Sequence, residues 1–146
     1  AESIGKKEDN SGKQVHTGLT PVNALGVTDQ HSQLQLYNEG PNDKFFIFIE
    51  VEKLAKELQV PGQKFSFNKL LQVEKDATAL ALTQNNRPNI TLKLDVVNEE
   101  NLGALFLLFE GATAFLGEFY NINTYDQPGV ELSKKLTKQS LLKSRD

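Results

Sequence analysis

Between Lys44 and Val51 the chain reads KFFIFIEV, a run of aromatic and β-branched residues with almost no polar interruption. Successive side chains of a strand point to opposite faces, so a run that is apolar at both parities asks to be covered on both sides. It predicts a strand inside a layered α/β arrangement. A second strand is expected from Asn89 to Val97 (NITLKLDVV), where Ile90, Leu92, Leu94 and Val96 alternate inward.

The stretches around these runs have helical spacing. A helix is expected after Thr28 or Asp29, both good N-caps, carrying Leu34 and Tyr37 or Leu36 inward and stopping at Gly40-Pro41. After the Pro61-Gly62 turn, Ser66 to Thr83 places Leu70, Leu71, Val73, Ala77, Leu80 and Ala81 at helical intervals, and Asn85 to Pro88 ends it. Asn101 to Phe119 is apolar nearly all round, which predicts a buried helix. Asp126 to Gly129 reads as a turn, and Val130 to Leu142 as an amphipathic terminal helix with a basic face. Residues 1 to 19 read as loop, and Leu19 to Val27 as a brief buried strand or a turn leading into the first helix. Strands alternating with long helices indicate an α/β sandwich with a mainly parallel sheet. Only two or three strands are visible, which suggests part of a larger unit.

Composition narrows the function classes. The 146 residues, 38% apolar and 24% charged, suit one soluble globular domain. No apolar run approaches the roughly 20 residues a membrane helix needs, and the polar opening AESIGKKEDNSGKQVHTG is not a signal peptide. With no Cys there is no disulfide, thiolate metal site or cysteine nucleophile, and a reducing compartment is favoured. A net charge of −3 gives no electrostatic footprint for nucleic acid. Phosphate-binding GxxxxGK[ST] and GxGxxG loops and the GxSxG elbow are missing, and His16 and His31 lack metal-ligand spacing. The absence of Met and the polar start at Ala1 hint at a fragment.

Three motifs go further. Tyr125 to Lys134 reads YDQPGVELSK after GALFLLFEGATAFLGEFYNIN, and resembles the C-terminal signature of the glucose-6-phosphate isomerase family, an aromatic residue followed by DQxGVExxK. Thr28 to Lys44 (TDQHSQLQLYNEGPNDK) resembles the family's histidine-bearing helix in its bacterial form. Glu2 to Lys6 (ESIGK) is similar to the ESxGK motif that carries the family's catalytic glutamate. The motifs stand in the family's order and span essentially the whole chain. The resemblance implies a three-layer αβα sandwich of sugar-isomerase (SIS) type, present only in part. Residues 1–146 would be the C-terminal part of the second SIS domain of a longer isomerase, including the terminal helix 130–142. The upstream serine/threonine loop that holds the substrate phosphate and the arginine that steadies the enediolate would lie outside this chain, leaving the piece inactive alone.

Each residue also has a plainer reading. Glu2 alone is a terminal carboxylate; matched to ESxGK, it resembles the general base that moves a proton between C1 and C2, work a carboxylate does best when burial raises its pKa. His31 alone is a surface or helix-start histidine; in its motif it resembles the family histidine implicated in ring opening, and it needs a carboxylate or backbone partner because a helix N-terminus disfavours imidazolium. Lys134 alone is one charge on a solvated face, beside an ordinary Glu131–Lys135 pair; in DQPGVELSK it matches the lysine that assists ring opening. Gln127 alone stabilises a turn, and by resemblance contacts substrate. Ser133 stands where many relatives have Gly, and the basic tail from Lys134 to Arg145 is a solvated face. The implied activity interconverts glucose 6-phosphate and fructose 6-phosphate through a cis-enediol, with no metal or cofactor, in cytoplasmic glycolysis and gluconeogenesis. The implied partners are the sugar-phosphate substrate, the rest of the parent chain and a second subunit, in a homodimer whose active sites are shared through His31; neither nucleic acid nor membrane is expected. From a different class, a non-catalytic sugar-phosphate-binding SIS module would share the fold without needing Glu2, His31 and Lys134 together. A third reading is an isolated interaction fragment without activity.

Overall fold

The computed structural model describes residues 1–143 and divides the chain into two compact units. One comprises Asn23–Gly103, the other Ala1–Val22 with the chain from Ala104 onward.

The Asn23–Gly103 unit is a β-α-β crossover with one further helix. Helix α1 (Gln30–Glu39) precedes strand β3 (Phe46–Lys53), helix α2 (Phe67–Gln84) and strand β4 (Asn89–Val96). β3 and β4 pair in parallel with Phe46 opposite Asn89 and Glu50 opposite Lys93, as expected of strands joined by a helix. The Ser66 hydroxyl accepts the Lys69 N–H at 3.2 Å and starts α2. α2 packs on β4 and α1 on α2, and Leu82 is fully buried. Tyr37 of α1 meets Phe46 of β3 edge-on at 4.9 Å. Arg87 closes the C-terminus of α1, donating to the Asn38 carbonyl at 2.9 Å and the Gly40 carbonyl at 2.8 Å. Across the sheet, Glu50 pairs with Lys75 of α2 at 2.7 Å and lies 4.0 Å from Lys93. Burial disfavours the Lys75 ammonium, but its hydrogen bonds to Asp76 and Glu50 outweigh that and raise its pKa.

In the other unit, strands β1 (Lys6–Glu8) and β2 (Gln14–Thr17) form an antiparallel hairpin. Asp9 makes its turn: one carboxylate oxygen accepts from the Ser11 hydroxyl at 2.6 Å, the Ser11 N–H at 2.9 Å and the Lys13 N–H at 3.0 Å. Gly12 supplies the left-handed backbone there, at φ 83°. The hairpin is tied to the residue after helix α3 (Glu99–Tyr120), because the Asn10 N–H donates to the Asn121 carbonyl at 2.8 Å. Ile4, Ile122, Thr124 and Gly117 are buried. Gly117 is required by packing, since a Cβ there would come within 2.5 Å of the Thr124 methyl. A 3₁₀ turn (Pro128–Val130) leads into helix α4 (Glu131–Lys143).

Several sequence expectations change. Residues 1–19 contain a hairpin rather than loop alone; its strands are mostly polar and its turn is set by side-chain hydrogen bonds, so no apolar alternation announces it. Of the two readings of Leu19 to Val27, the turn holds at its end, where Gly26 and Val27 begin the turn into α1; the stretch is neither a strand nor buried, with Leu19, Val22 and Leu25 exposed. β3 is covered on one parity only: Phe46 and Phe48 are half-buried, while Ile47 and Ile49 stay exposed because the unit has two strands and too few helices to cover both faces. The Asn101–Phe119 helix exists but is not buried in this chain, for Phe106, Leu107, Phe115 and Phe119 are all exposed. Although its uninterrupted apolar run is short, the 22-residue α3 as a whole is long and apolar enough to cross a membrane by length and composition. Glu131 pairs with Lys134 at 2.7 Å, one residue before the expected Lys135. Arg145, the end of the basic tail, lies outside the described residues.

Candidate functional site

Glu2 lies in a turn that closes when the Gly5 N–H donates to the Ala1 carbonyl at 3.0 Å, and its side chain is exposed. The turn is fixed on one side by β2: the Thr17 hydroxyl donates to the Ile4 carbonyl at 2.9 Å. Gly18, at φ 145°, sits against Gly5, where an added Cβ would stand 3.3 Å from the Gly5 Cα. On the other side the anchor is Lys6. Its side chain is 5% exposed, and its ammonium lies 3.4 Å from an Asp126 carboxylate oxygen. The same ammonium donates to the Ser3 carbonyl at 2.9 Å and to the Asp126 carbonyl at 2.6 Å. Two motifs 120 positions apart are thereby joined at a single nitrogen.

Asp126 is itself held in place. Its second carboxylate oxygen accepts from the Asn123 amide at 3.0 Å, and Asn123 accepts the Tyr125 N–H at 3.0 Å. Gln127 follows, exposed, with its carbonyl accepting the Val130 N–H at 3.3 Å; its side chain makes no capping bond to the 3₁₀ turn. The turn-stabilising reading of the Gln127 side chain is therefore set aside. Lys134 projects from the first turns of α4, exposed and paired with Glu131.

His31 belongs to the Asn23–Gly103 unit, while Glu2, Gln127 and Lys134 belong to the other. It is exposed at the second position of α1. The preceding Asp29 does not cap the helix with its side chain; the carboxylate accepts the Leu25 N–H at 2.6 Å instead. The first-turn N–H groups of Gln30 and His31 donate to the Val27 and Thr28 carbonyls at 3.1 and 3.3 Å. No described residue partners the His31 ring. Among the described residues, no group of three or more His, Asp or Glu converges as a metal site would require.

The residues that sequence reasoning passes over are Lys6 and Asp126. Lys6 enters only as the last letter of ESIGK, and Asp126 only as part of a turn. No short-range pattern links them; the sole signal is that each stands in a motif beside a proposed site residue.

The family model described as phosphoglucose isomerase matches residues 50–145. A glucose-6-phosphate isomerase of Carboxydothermus hydrogenoformans is 47% identical over 147 aligned positions, which take in 93% of this chain and 32% of that relative. Among solved structures, a hypothetical protein of Thermus thermophilus superposes with a TM-score of 0.85 at 38% identity, over 96% of this chain and 35% of the other. A glucose-6-phosphate isomerase of Chlamydia trachomatis shares the fold, with a TM-score of 0.83 at 24% identity over 99% of this chain and 31% of its own. The chain spans about a third of the length of the curated relatives it matches.

Proposed function

The chain belongs to the phosphoglucose isomerase family, and from that premise we propose that it is the C-terminal catalytic segment of a glucose-6-phosphate isomerase, the later part of a second SIS domain. The observation that carries the reading is the Lys6 junction, which ties the segment bearing Glu2 to the segment bearing Gln127. A shared active site needs those two motifs in fixed relation, whereas two unrelated surface segments do not.

In this reading Glu2 removes the C2 proton of the open-chain aldose. The electron pair forms the C1–C2 double bond of a cis-enediol as the C1 carbonyl oxygen takes up a proton; the C2 hydroxyl then gives up its proton to become the ketone carbonyl while Glu2 returns its own proton to C1. A single carboxylate suffices, because both carbons lie on one face of the intermediate. Lys134 and His31 serve the earlier ring opening, which moves a proton from the anomeric hydroxyl to the ring oxygen. The Glu131–Lys134 pair is exposed, and such pairs are weak in water, so sugar oxygens can displace Glu131. Gln127 contacts the substrate. The upstream remainder of the isomerase supplies the phosphate-binding loop, and His31 serves the site of a neighbouring subunit in a cytoplasmic homodimer.

The test uses the complete isomerase. His31→Ala and Lys134→Ala should each lower turnover of the closed-ring sugar by about 10²–10⁴-fold, while an open-chain analogue is affected far less. Equal losses on both substrates would remove these residues from ring opening. A protein that binds sugar phosphate without turnover would instead be the non-catalytic SIS module.

A further inference from the structure

Lysine is almost never fully buried unless its charge is paired, and Lys6 is both buried and saturated. Its three contacts are two main-chain carbonyls, of Ser3 and Asp126, and the Asp126 carboxylate. Ser3 is one peptide from Glu2, and Asp126 is one peptide from Gln127. An apolar side chain of the same length would fill this space without the cost of taking a charge out of water. What it could not supply is directional hydrogen bonding to both carbonyls at once.

We propose that Lys6 is a positioning residue, an ammonium clamp whose junction with Asp126 sets the distance between the Glu2 carboxylate and the Gln127 side of the substrate. The clamp is rigid at each end. Asp126 is fixed through Asn123, and the Glu2 turn is held from behind by Thr17 and by the Gly5–Gly18 approach. These contacts hold the Glu2 turn from the β2 side, and the ammonium holds it from the Asp126 side. A displacement of about 1 Å at a reacting group can reduce rate by about 10²-fold. The proposal rests on the reading of Glu2 as the base.

The experiment compares Lys6→Met, Lys6→Arg and Asp126→Asn in the complete isomerase. For each, it records folding by circular dichroism, kcat, KM, and deuterium incorporated at C2 per turnover in heavy water. Lys6→Met keeps length and apolar volume but loses every donor. Its kcat should fall by about 10²-fold while KM moves less than about threefold. Deuterium incorporation at C2 per turnover should rise, because in the ketose-to-aldose direction a displaced Glu2 delivers its proton to C2 more slowly and the intermediate has longer to exchange. Lys6→Arg, which keeps the charge and donors, should recover about tenfold of that loss. If Lys6→Met does not fold, Asp126→Asn decides, since it removes the ion pair and keeps the carbonyl; its kcat should fall several-fold at unchanged KM. A folded Lys6→Met with wild-type kcat and incorporation overturns the clamp and leaves the isomerase reading intact. In its place, a folded Asp126→Asn with both values unchanged does the same. Wild-type protein that does not interconvert the aldose and ketose phosphates overturns the isomerase reading itself, and the clamp with it.

Discussion

At Asp9 three hydrogen bonds converge on one carboxylate oxygen, and the Ser11 hydroxyl contributes most to holding its pKa below the usual 3.8. A carboxyl whose pKa is depressed in the folded state contributes stability at pH above its unfolded value, and that stability is lost as pH falls through the folded value. The hairpin should therefore keep this contribution at neutral pH and lose it only below about pH 3.8. An NMR titration of Asp9 should give a midpoint under 3.8, and Asp9→Ala should remove this component from the acid limb of the stability curve. A midpoint at or above the ordinary value would contradict the turn geometry. Gly117 offers a second residue-scale test. Gly117→Ala drives a methyl into Thr124 and should destabilise by about 1–3 kcal/mol, as overpacking does. Because the helix itself prefers Ala, adding Thr124→Ser should recover most of that loss in denaturant unfolding. None of this is legible in the sequence: Asp9 and Gly12 sit in a polar stretch without periodicity, and Gly117 looks like one small residue on an apolar helix.

Elements are more legible than their surroundings. α1, β3, α2, β4 and α3 all appear within a few residues of their expected bounds, because Ser66, Gly40 and the two apolar runs are local signals. Coverage is not legible, since what packs on Ile47, Ile49 and the α3 face is not written in those residues. The β1–β2 hairpin escapes for the opposite reason, its stability residing in side-chain-to-backbone bonds. Of the candidate site, the residues are legible through motif matches, but the junction between motifs is not, because it depends on Lys6 meeting Asp126 120 positions away. At the start of α2, Ser66→Ala removes the one side-chain cap, on Lys69. It should lower stability by about 1 kcal/mol, measured as a shift of the denaturant midpoint at constant slope. No shift would mean that the backbone alone starts this helix.

For the molecule as a whole, the exposed apolar faces and the one-third coverage of its relatives belong together. Phe119 is 84% exposed and Phe115 70%, far more apolar surface along one helix than an isolated soluble chain usually leaves open. The 146-residue chain on its own should self-associate, bind a hydrophobic dye and lack turnover; a compact, monodisperse, dye-silent monomer in sedimentation would contradict that. The central claim is that Glu2 is the base of an aldose–ketose isomerisation, and Glu2→Gln in the complete isomerase tests it most directly. The amide keeps size and hydrogen bonding but cannot accept a carbon-bound proton. Deuterium incorporation at C2 in heavy water should fall by at least about 10²-fold, with substrate binding nearly unchanged. Exchange at near wild-type rate in Glu2→Gln would show that the base is another group.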